Sequence, residues 1–339
     1  MSKNKIIQIQ NKNDAQILYD LNIEKINRND AGSRLLNDLN KQIFYGYFAI
    51  DSELEQNNEL SKDDINSYVL FYHSYSTWQN RTIHIADLWF KPSLSDDEKF
   101  SILKELRTQL FIYARKNLLN RVNYHIYDTN ENKQLIDCLL NKELGAVNLS
   151  LLEDWLIYEM NIQVMKEFIS KDYPIPENYK IQKVTEIKEY ASDIRDLIVE
   201  IAIYEKMLEQ CQMTSEYLIR DYKYLNENEH NRFYESMVVL NDQKEVIGYA
   251  IYYRSYEVER GVGCYLEDLY IQEKYRRKGL GGALWKELIK DCLDKFNVNF
   301  MQWSVLAWNK LAIDFYHKCG ARHLKDLCLF RFKTEVIYQ

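Results

Sequence analysis

The sequence predicts an α/β fold built twice, each copy a mixed, mostly antiparallel sheet flanked by helices. Three observations predict it. Runs with strand periodicity alternate with runs of helical spacing. The chain repeats itself weakly. A proline-bearing break falls near its middle.

The repeat is short but ordered. Tyr68-Val-Leu-Phe-Tyr-His-Ser-Tyr75 lines up with Tyr249-Ala-Ile-Tyr-Tyr-Arg-Ser-Tyr256. The same offset, without a gap, sets Asp87-Leu88 on Asp268-Leu269. Further on, Asn132–Asp137 matches Asn309–Asp314. Matches in the same order in both halves point to two copies of one fold. Between them, Lys171–Asn178 carries two of the three prolines, which neither a helix interior nor a central strand accepts. The expected division is residues 1–165, a linker at 166–178, and residues 179–339.

The second copy is the more legible. Strands are expected at Tyr179–Val184, Ser236–Leu240, Val246–Tyr256 and Cys264–Ile271, with helices at Tyr190–Glu209 and Ser215–Tyr224. A glycine-rich turn follows, then a helix to Phe296 that places Leu284, Trp285, Leu288, Ile289 and Cys292 on one face. A strand at Asn299–Leu306, a helix at Lys310–Lys318 and a strand at Leu327–Lys333 complete the copy. The first copy follows the same plan.

The turn is Arg276-Arg277-Lys278-Gly279-Leu280-Gly281-Gly282. Strand, glycine turn and helix together present backbone N–H groups and a partial positive charge to an anion. No Gly-Lys-Ser/Thr ends the turn, and Gly-x-Gly-x-x-Gly cannot be read in it, so it is neither of the two common nucleotide loops. It reads as a pocket for a pyrophosphate-bearing cofactor.

Composition narrows the remaining classes. A net charge of −7 argues against a general nucleic-acid binder and suits a cationic substrate. The six cysteines include no Cys-x-x-Cys pair, and the six histidines show no metal-ligand spacing, so free thiols and no metal are expected. The N-terminus leads into no apolar leader, and no apolar run reaches membrane-spanning length. A cytoplasmic protein that binds neither membrane nor nucleic acid is expected.

The copies differ where chemistry should sit. Ala86 stands where the second copy has Glu267, and Leu139 where it has Tyr316. Lys91–Phe100 replaces the glycine turn with a segment that has no glycine and three adjacent acids. Asp87 and Asp268 are common to both, which assigns Asp268 a structural role. Strand alternation sets Glu267 and Asp268 on opposite faces, so one of the two acids is expected to face the cleft.

The second half resembles the GNAT superfamily of acyl-CoA-dependent N-acetyltransferases, over about residues 180–333. Arg276-x-x-Gly279-x-Gly281 is similar to its pantetheine-pyrophosphate loop. Tyr265-Leu-Glu-Asp268, Trp308-Asn309, Ile313-Asp-Phe-Tyr316, Gly320-Ala321, Tyr204-Glu205-x-Met207 and Gly248–Tyr253 resemble the diamine (spermidine/spermine) type within it. The first half resembles the same fold faintly, as a degenerate and non-catalytic copy. The resemblance thus implies tandem GNAT-like domains. The pair could serve as an intramolecular pseudo-dimer; a homodimer is an alternative.

The resemblance implies acetyl transfer from acetyl-CoA to a primary amine of a small cationic, polyamine-like substrate. An alkyl amine is protonated at neutral pH, so a base is needed. Glu267 matches the base and Tyr316 the acid that protonates the leaving thiolate. Leu269, Tyr270, Ile271, Arg276, Arg277, Lys278, Gly279, Leu280, Gly281, Gly282 and Asn309 match cofactor contacts. Asn309 also suits a helix N-cap. Tyr204, Glu205, Glu257 and Glu259 are the expected substrate contacts. Two departures weaken the polyamine match: Glu259 stands where the family has an aromatic, and the segment Gly320–Leu327 is short. Lysine-like amino acids or a protein amine are alternative acceptors, and a non-catalytic acyl-CoA-binding protein is the alternative class.

Overall fold

The computed structural model describes residues 4–22, 31–54, 59–222 and 232–332. The first half runs β1 (Asn4–Gln8), α1 (Lys12–Asn22), α2 (Ala31–Asn40), β2 (Tyr45–Asp51), β3 (Ile65–Ser76), β4 (Asn80–Phe90), α3 (Asp96–Lys116), β5 (Val122–Tyr127), α4 (Lys133–Leu140), β6 (Ala146–Asn148), α5 (Leu149–Leu152), β7 (Trp155–Asn161) and α6 (Ile162–Ser170). The second runs β8 (Lys180–Lys183), α7 (Ala191–Tyr204), α8 (Ser215–Asp221), β9 (Glu235–Leu240), β10 (Val246–Glu257), β11 (Gly261–Ile271), α9 (Leu280–Asp291), β12 (Phe300–Leu306), α10 (Lys310–Lys318), β13 (Arg322–His323) and β14 (Leu327–Phe332).

Two seven-stranded sheets result, ordered β1-β2-β3-β4-β5-β14-β6 and β13-β7-β12-β11-β10-β9-β8. In each, one neighbouring pair is parallel, β4 with β5 and β11 with β12. The sheets do not part at the mid-chain linker. The last strand among the described residues, β14, inserts between β5 and β6, and β7 inserts between β12 and β13. The halves thus exchange their closing strands. Leu327, Leu329, Phe330 and Phe332 of β14 are buried in the first half's sheet. Burying each such large apolar side chain contributes about 1.5–3 kcal/mol.

Apolar packing follows the same cross-connection. Tyr75 of β3 stacks on Tyr234 with ring centroids 4.4 Å apart, and Phe44 stacks on Tyr256 at 4.8 Å. A second core lies under α9, whose buried Leu284, Trp285, Leu288 and Ile289 repeat at helical spacing. There Trp285 meets Trp303 of β12 edge-on, 5.0 Å between centroids.

Most expected elements form within a few residues of their predicted bounds. Lys223, Tyr224 and Lys333, at the ends of two of them, lie outside the described residues. The helix expected to reach Phe296 is α-helical to Asp291 and continues as a π turn, Cys292–Phe296. α6 occupies the start of the expected linker. Its N-cap is Asn161, whose side chain accepts from the Val164 N–H at 3.0 Å, and Met165 and Phe168 bury its inner face.

Candidate active site

The glycine turn heads α9. Gly279 is the N-cap with φ +83°, and Arg277 also lies in the left-handed region, at φ 62°. A Cβ on Gly279 would meet nothing within 4 Å, so its conformation rather than crowding calls for glycine. The reverse holds at Gly282, where a Cβ would lie 2.8 Å from the Tyr173 ring. Helix geometry leaves the N–H groups of Leu280, Gly281 and Gly282 without an intrahelical acceptor. They border a cleft of about 670 Å³, also lined by Leu269, Tyr270 and Phe315. The corresponding helix start in the first half, at α3, caps itself. Glu98 accepts from the Ser95 N–H at 2.9 Å, and Ser95 from the Glu98 N–H at 3.4 Å.

β11 positions the reactive end of the cleft. Its parallel pairing with β12 stops at Leu266 opposite Trp303, so residues 267–271 have an unpaired edge. Opposite β10, the register jumps from Asp268 across from Ile251 to Leu266 across from Tyr252. Glu267 is the extra residue of a β-bulge, which turns its side chain out of strict alternation. The expectation that only one of the two acids faces the site is thereby corrected, because Glu267 and Asp268 line the same cavity. The first half carries the same bulge at Ala86, where Asp87 pairs with Leu70 and Ile85 with Phe71.

That cavity, about 130 Å³, adjoins the cleft, and Leu269, Asn309 and Tyr316 line both. Glu205 from the end of α7 also lines it. Burial and the neighbouring Asp268 raise the Glu267 pKa, against the opposing pull of Arg121 and the Thr77 N–H. The Thr77 N–H donates to Glu267 Oε1 at 3.3 Å. Glu205 is pushed up to about 8 by burial, then by Asp268 and Glu267. Tyr316 is buried among Trp285, Trp303 and Phe315, and that burial holds its phenol protonated far above neutral pH.

The other expected residues divide. Arg276, Arg277, Ile271 and Tyr204 line the cleft. Arg276 Nε donates to the Ile271 carbonyl at 2.8 Å, and its guanidinium faces the Tyr204 and Tyr270 rings. Asn309 is the N-cap of α10 and lines the cleft. Its side chain caps α10 by accepting from the Ala312 N–H (3.2 Å) and also accepts from Tyr204 Oη (3.3 Å). Lys278 turns away and donates to Tyr179 Oη at 2.8 Å. Glu257 and Glu259 stand away from Glu267, at a different cavity of about 280 Å³ lined by Ala86 and Asp87. The reason is that β10 runs on past the bulge toward the first half's sheet, where Arg260 holds Glu257 by two bonds of 2.5 and 2.6 Å.

Sequence reasoning did not find Thr77, Trp78, Arg121, Glu153 or Arg331, all of which line the Glu267 cavity. Four belong to the first half and the fifth to the exchanged strand β14, so no local motif marks them. His317, beside Tyr316, makes a 3.1 Å hydrogen bond with Tyr158 Oη.

Comparison with known proteins bears on this geometry. The model of the acetyltransferase (GNAT) family matches residues 202–321. The chain is 35% identical over 156 residues to the thialysine N-epsilon-acetyltransferase of Bos taurus, covering 43% of this chain and 88% of that protein. The chain belongs to the GNAT acetyltransferase family. As a GNAT acetyltransferase it is an acetyl-CoA-dependent enzyme that transfers to nitrogen. It is also 32% identical over 151 residues to the spermidine/spermine N(1)-acetyltransferase-like protein 1 of Homo sapiens, covering 42% of this chain and 21% of that protein. In fold it is similar to a solved tandem GNAT protein from the clavulanic acid biosynthesis pathway, with 98% of each chain covered, 10% identity and a TM-score of 0.52. Among the described residues, no group of three or more His, Cys, Asp or Glu is placed to hold a metal ion, and no helix is long and apolar enough to cross a membrane.

Proposed function

We propose that this GNAT enzyme acetylates a primary amine of a small cationic acceptor, with Glu267 as base and Tyr316 as acid. One observation carries the reading: Glu267 and Tyr316 line a single cavity that opens onto the cleft headed by the glycine turn. The unpaired N–H groups of Leu280, Gly281 and Gly282, with Arg277, would hold the diphosphate of acetyl-CoA. The cleft wall at Leu269, Tyr270 and Phe315 would take its arm. Bound there, acetyl-CoA supplies an activated acyl group.

The acceptor enters the adjoining cavity as an ammonium. Glu267 takes one proton from it, and a raised carboxylate pKa makes that transfer less uphill. The freed nitrogen bonds to the acyl carbon as the carbon–sulfur bond breaks. The sulfur leaves with the electron pair and takes a proton from Tyr316; the second proton shed by the new amide nitrogen restores the phenol, and Glu267 returns the first to solvent. The unpaired edge of β11 at 267–271 lies where a backbone N–H can polarise the acyl oxygen. The first half, with Ala86 and a self-capped α3, takes no part in bond making and acts as a built-in partner. The cysteines, none of them in a disulfide among the described residues, support the cytoplasm as the compartment.

The test is release of free thiol from acetyl-CoA with a panel of amines. Amine-stimulated release that falls in both Glu267→Gln and Tyr316→Phe supports the reading. Release that no amine stimulates would sink it, in favour of acyl-CoA binding without transfer.

A further inference from the structure

The Glu267 cavity is lined by two arginines, Arg121 and Arg331, that feel the charges of Glu267 and Glu153 but make no ion pair among the described residues. Arg121, just before β5, is 5% exposed. Its Nε donates to Gln79 Oε1 at 3.0 Å, while its Nη2 is buried with no hydrogen-bond partner. Arg331 of β14 donates from Nε to Asn123 Oδ1 at 3.2 Å. Among the described residues, neither has a carboxylate at ion-pair distance; their hydrogen-bond partners are neutral amides. Burying a guanidinium without a carboxylate in direct contact costs several kcal/mol, so two facing one cavity need an explanation.

The matching cavity of the first half supplies a control. It is lined by Ala86, Asp87, Glu257 and Gln302. In register, Arg331 sits across from Asn123, and its counterpart Glu159 across from Gln302. There the charges are closed off. Glu159 pairs with Arg260 at 2.7 Å and with Arg322 at 2.8 Å, and Glu257 with Arg260 at 2.5 Å. At the Glu267 cavity the position equivalent to Glu159 is Arg331, which makes no ion pair among the described residues.

We propose that Arg121 and Arg331 bind a carboxylate of the acceptor, so that the enzyme acetylates the distal amine of an amino acid rather than a diamine or polyamine. This rests on the reading of the Glu267 cavity as the acceptor site. The guanidinium fork matches the two oxygens of a carboxylate. The far ammonium of a diamine would instead meet two like charges. Glu153 lines the same cavity and offers a carboxylate to an α-ammonium. Specificity would then be supplied by the half that performs no chemistry, through one of its own residues and one on the strand it receives.

The experiment compares L-lysine with cadaverine, the same chain without the carboxylate, on the full-length protein. Binding is measured by calorimetry without acetyl-CoA, and kcat/KM is measured with it. L-Lysine is expected to be preferred. Arg331→Gln should lower the lysine-to-cadaverine ratio of kcat/KM by about tenfold or more, chiefly through KM, since a charge-assisted bond is lost. Arg331→Lys should recover part of it. Arg121→Lys, which keeps the charge and loses the fork, should fall between, and guards against misfolding of the bolder variant. Equal or better use of cadaverine, failure of L-lysine to bind, or a ratio unmoved in the arginine variants would each overturn the proposal. If L-lysine bound in an Arg331-dependent way but was never acetylated, the carboxylate site would stand and the assignment of acetyl transfer at this cavity would fall.

Discussion

Tyr249 donates its phenol proton to Asp268 at 2.6 Å, across neighbouring strands. Tyr68 does the same to Asp87 in the first half, also at 2.6 Å. The bond is therefore independent of the glycine turn and of Glu267, both missing from the first half. Asp268 is committed to holding β10 against β11 at the bulge, which supports Glu267 rather than Asp268 as the proposed base.

The two acids should respond differently to neutralisation. Glu267→Gln is expected to lower kcat about 10²- to 10⁴-fold, the usual worth of a positioned base, with an unchanged or higher melting temperature. Asp268→Asn should instead cost about 1–3 kcal/mol of stability, by weakening a buried bond to a charged group. Denaturant melts beside steady-state rates distinguish them. A Glu267→Gln enzyme of full rate would remove the base assignment.

Activity should rise with pH as Glu267 loses its proton, with a midpoint above the ordinary carboxylate range, because burial and Asp268 favour the neutral acid. Arg121 pulls the other way. Replacing it by Gln should move the midpoint of kcat/KM against pH upward. A downward move would contradict the stated electrostatics.

Stability should carry the opposite pH dependence through Glu205. Its folded pKa is raised from 4.5 to about 8. Its contribution is thus full below pH 4.5 and is lost as pH rises toward 8. Glu205→Gln should flatten the fall in melting temperature over that window. Identical slopes in both proteins would show that Glu205 ionises freely.

At Gly279 a methyl group has room but an unfavourable backbone, at φ +83°. Gly279→Ala should cost about 1 kcal/mol and raise KM for acetyl-CoA, because relaxing the strain swings the first-turn N–H groups off the cleft. Unaltered KM and stability would mean that the turn does not carry the diphosphate.

Residues 179–339 lack β7, which completes the second sheet between β12 and β13. Expressed alone, this half should be unfolded or aggregated by circular dichroism and gel filtration. Co-expression with residues 1–178 should restore a soluble complex. A folded, active isolated half would show that the exchange is dispensable.

The glycine turn was legible because its requirements are local: a left-handed residue, a helix start and nearby cations all lie within a few positions. The repeat was legible because Tyr68 and Asp87 preserve a bond also made by Tyr249 and Asp268. The bulge was not, since Tyr265–Ile271 reads as an unbroken strand and alternation then parts Glu267 from Asp268. Nor could sequence find the strand exchange. Leu327–Phe332 has the same pattern whichever sheet receives it. Glu257 was placed at the substrate because its partner Arg260 is recognisable only once β10 and β11 are folded. Arg121 and Arg331 come together only through that exchange.

The position of β14 also bears on how the protein is made. Residues of β5 and β6 leave the ribosome long before the strand that must lie between them. The first half therefore waits, with two strand edges uncovered, until Leu327–Phe332 has been translated. Its maturation is tied to synthesis of that distant strand, and chaperone protection of those edges during that interval is the demand this topology places on the cell.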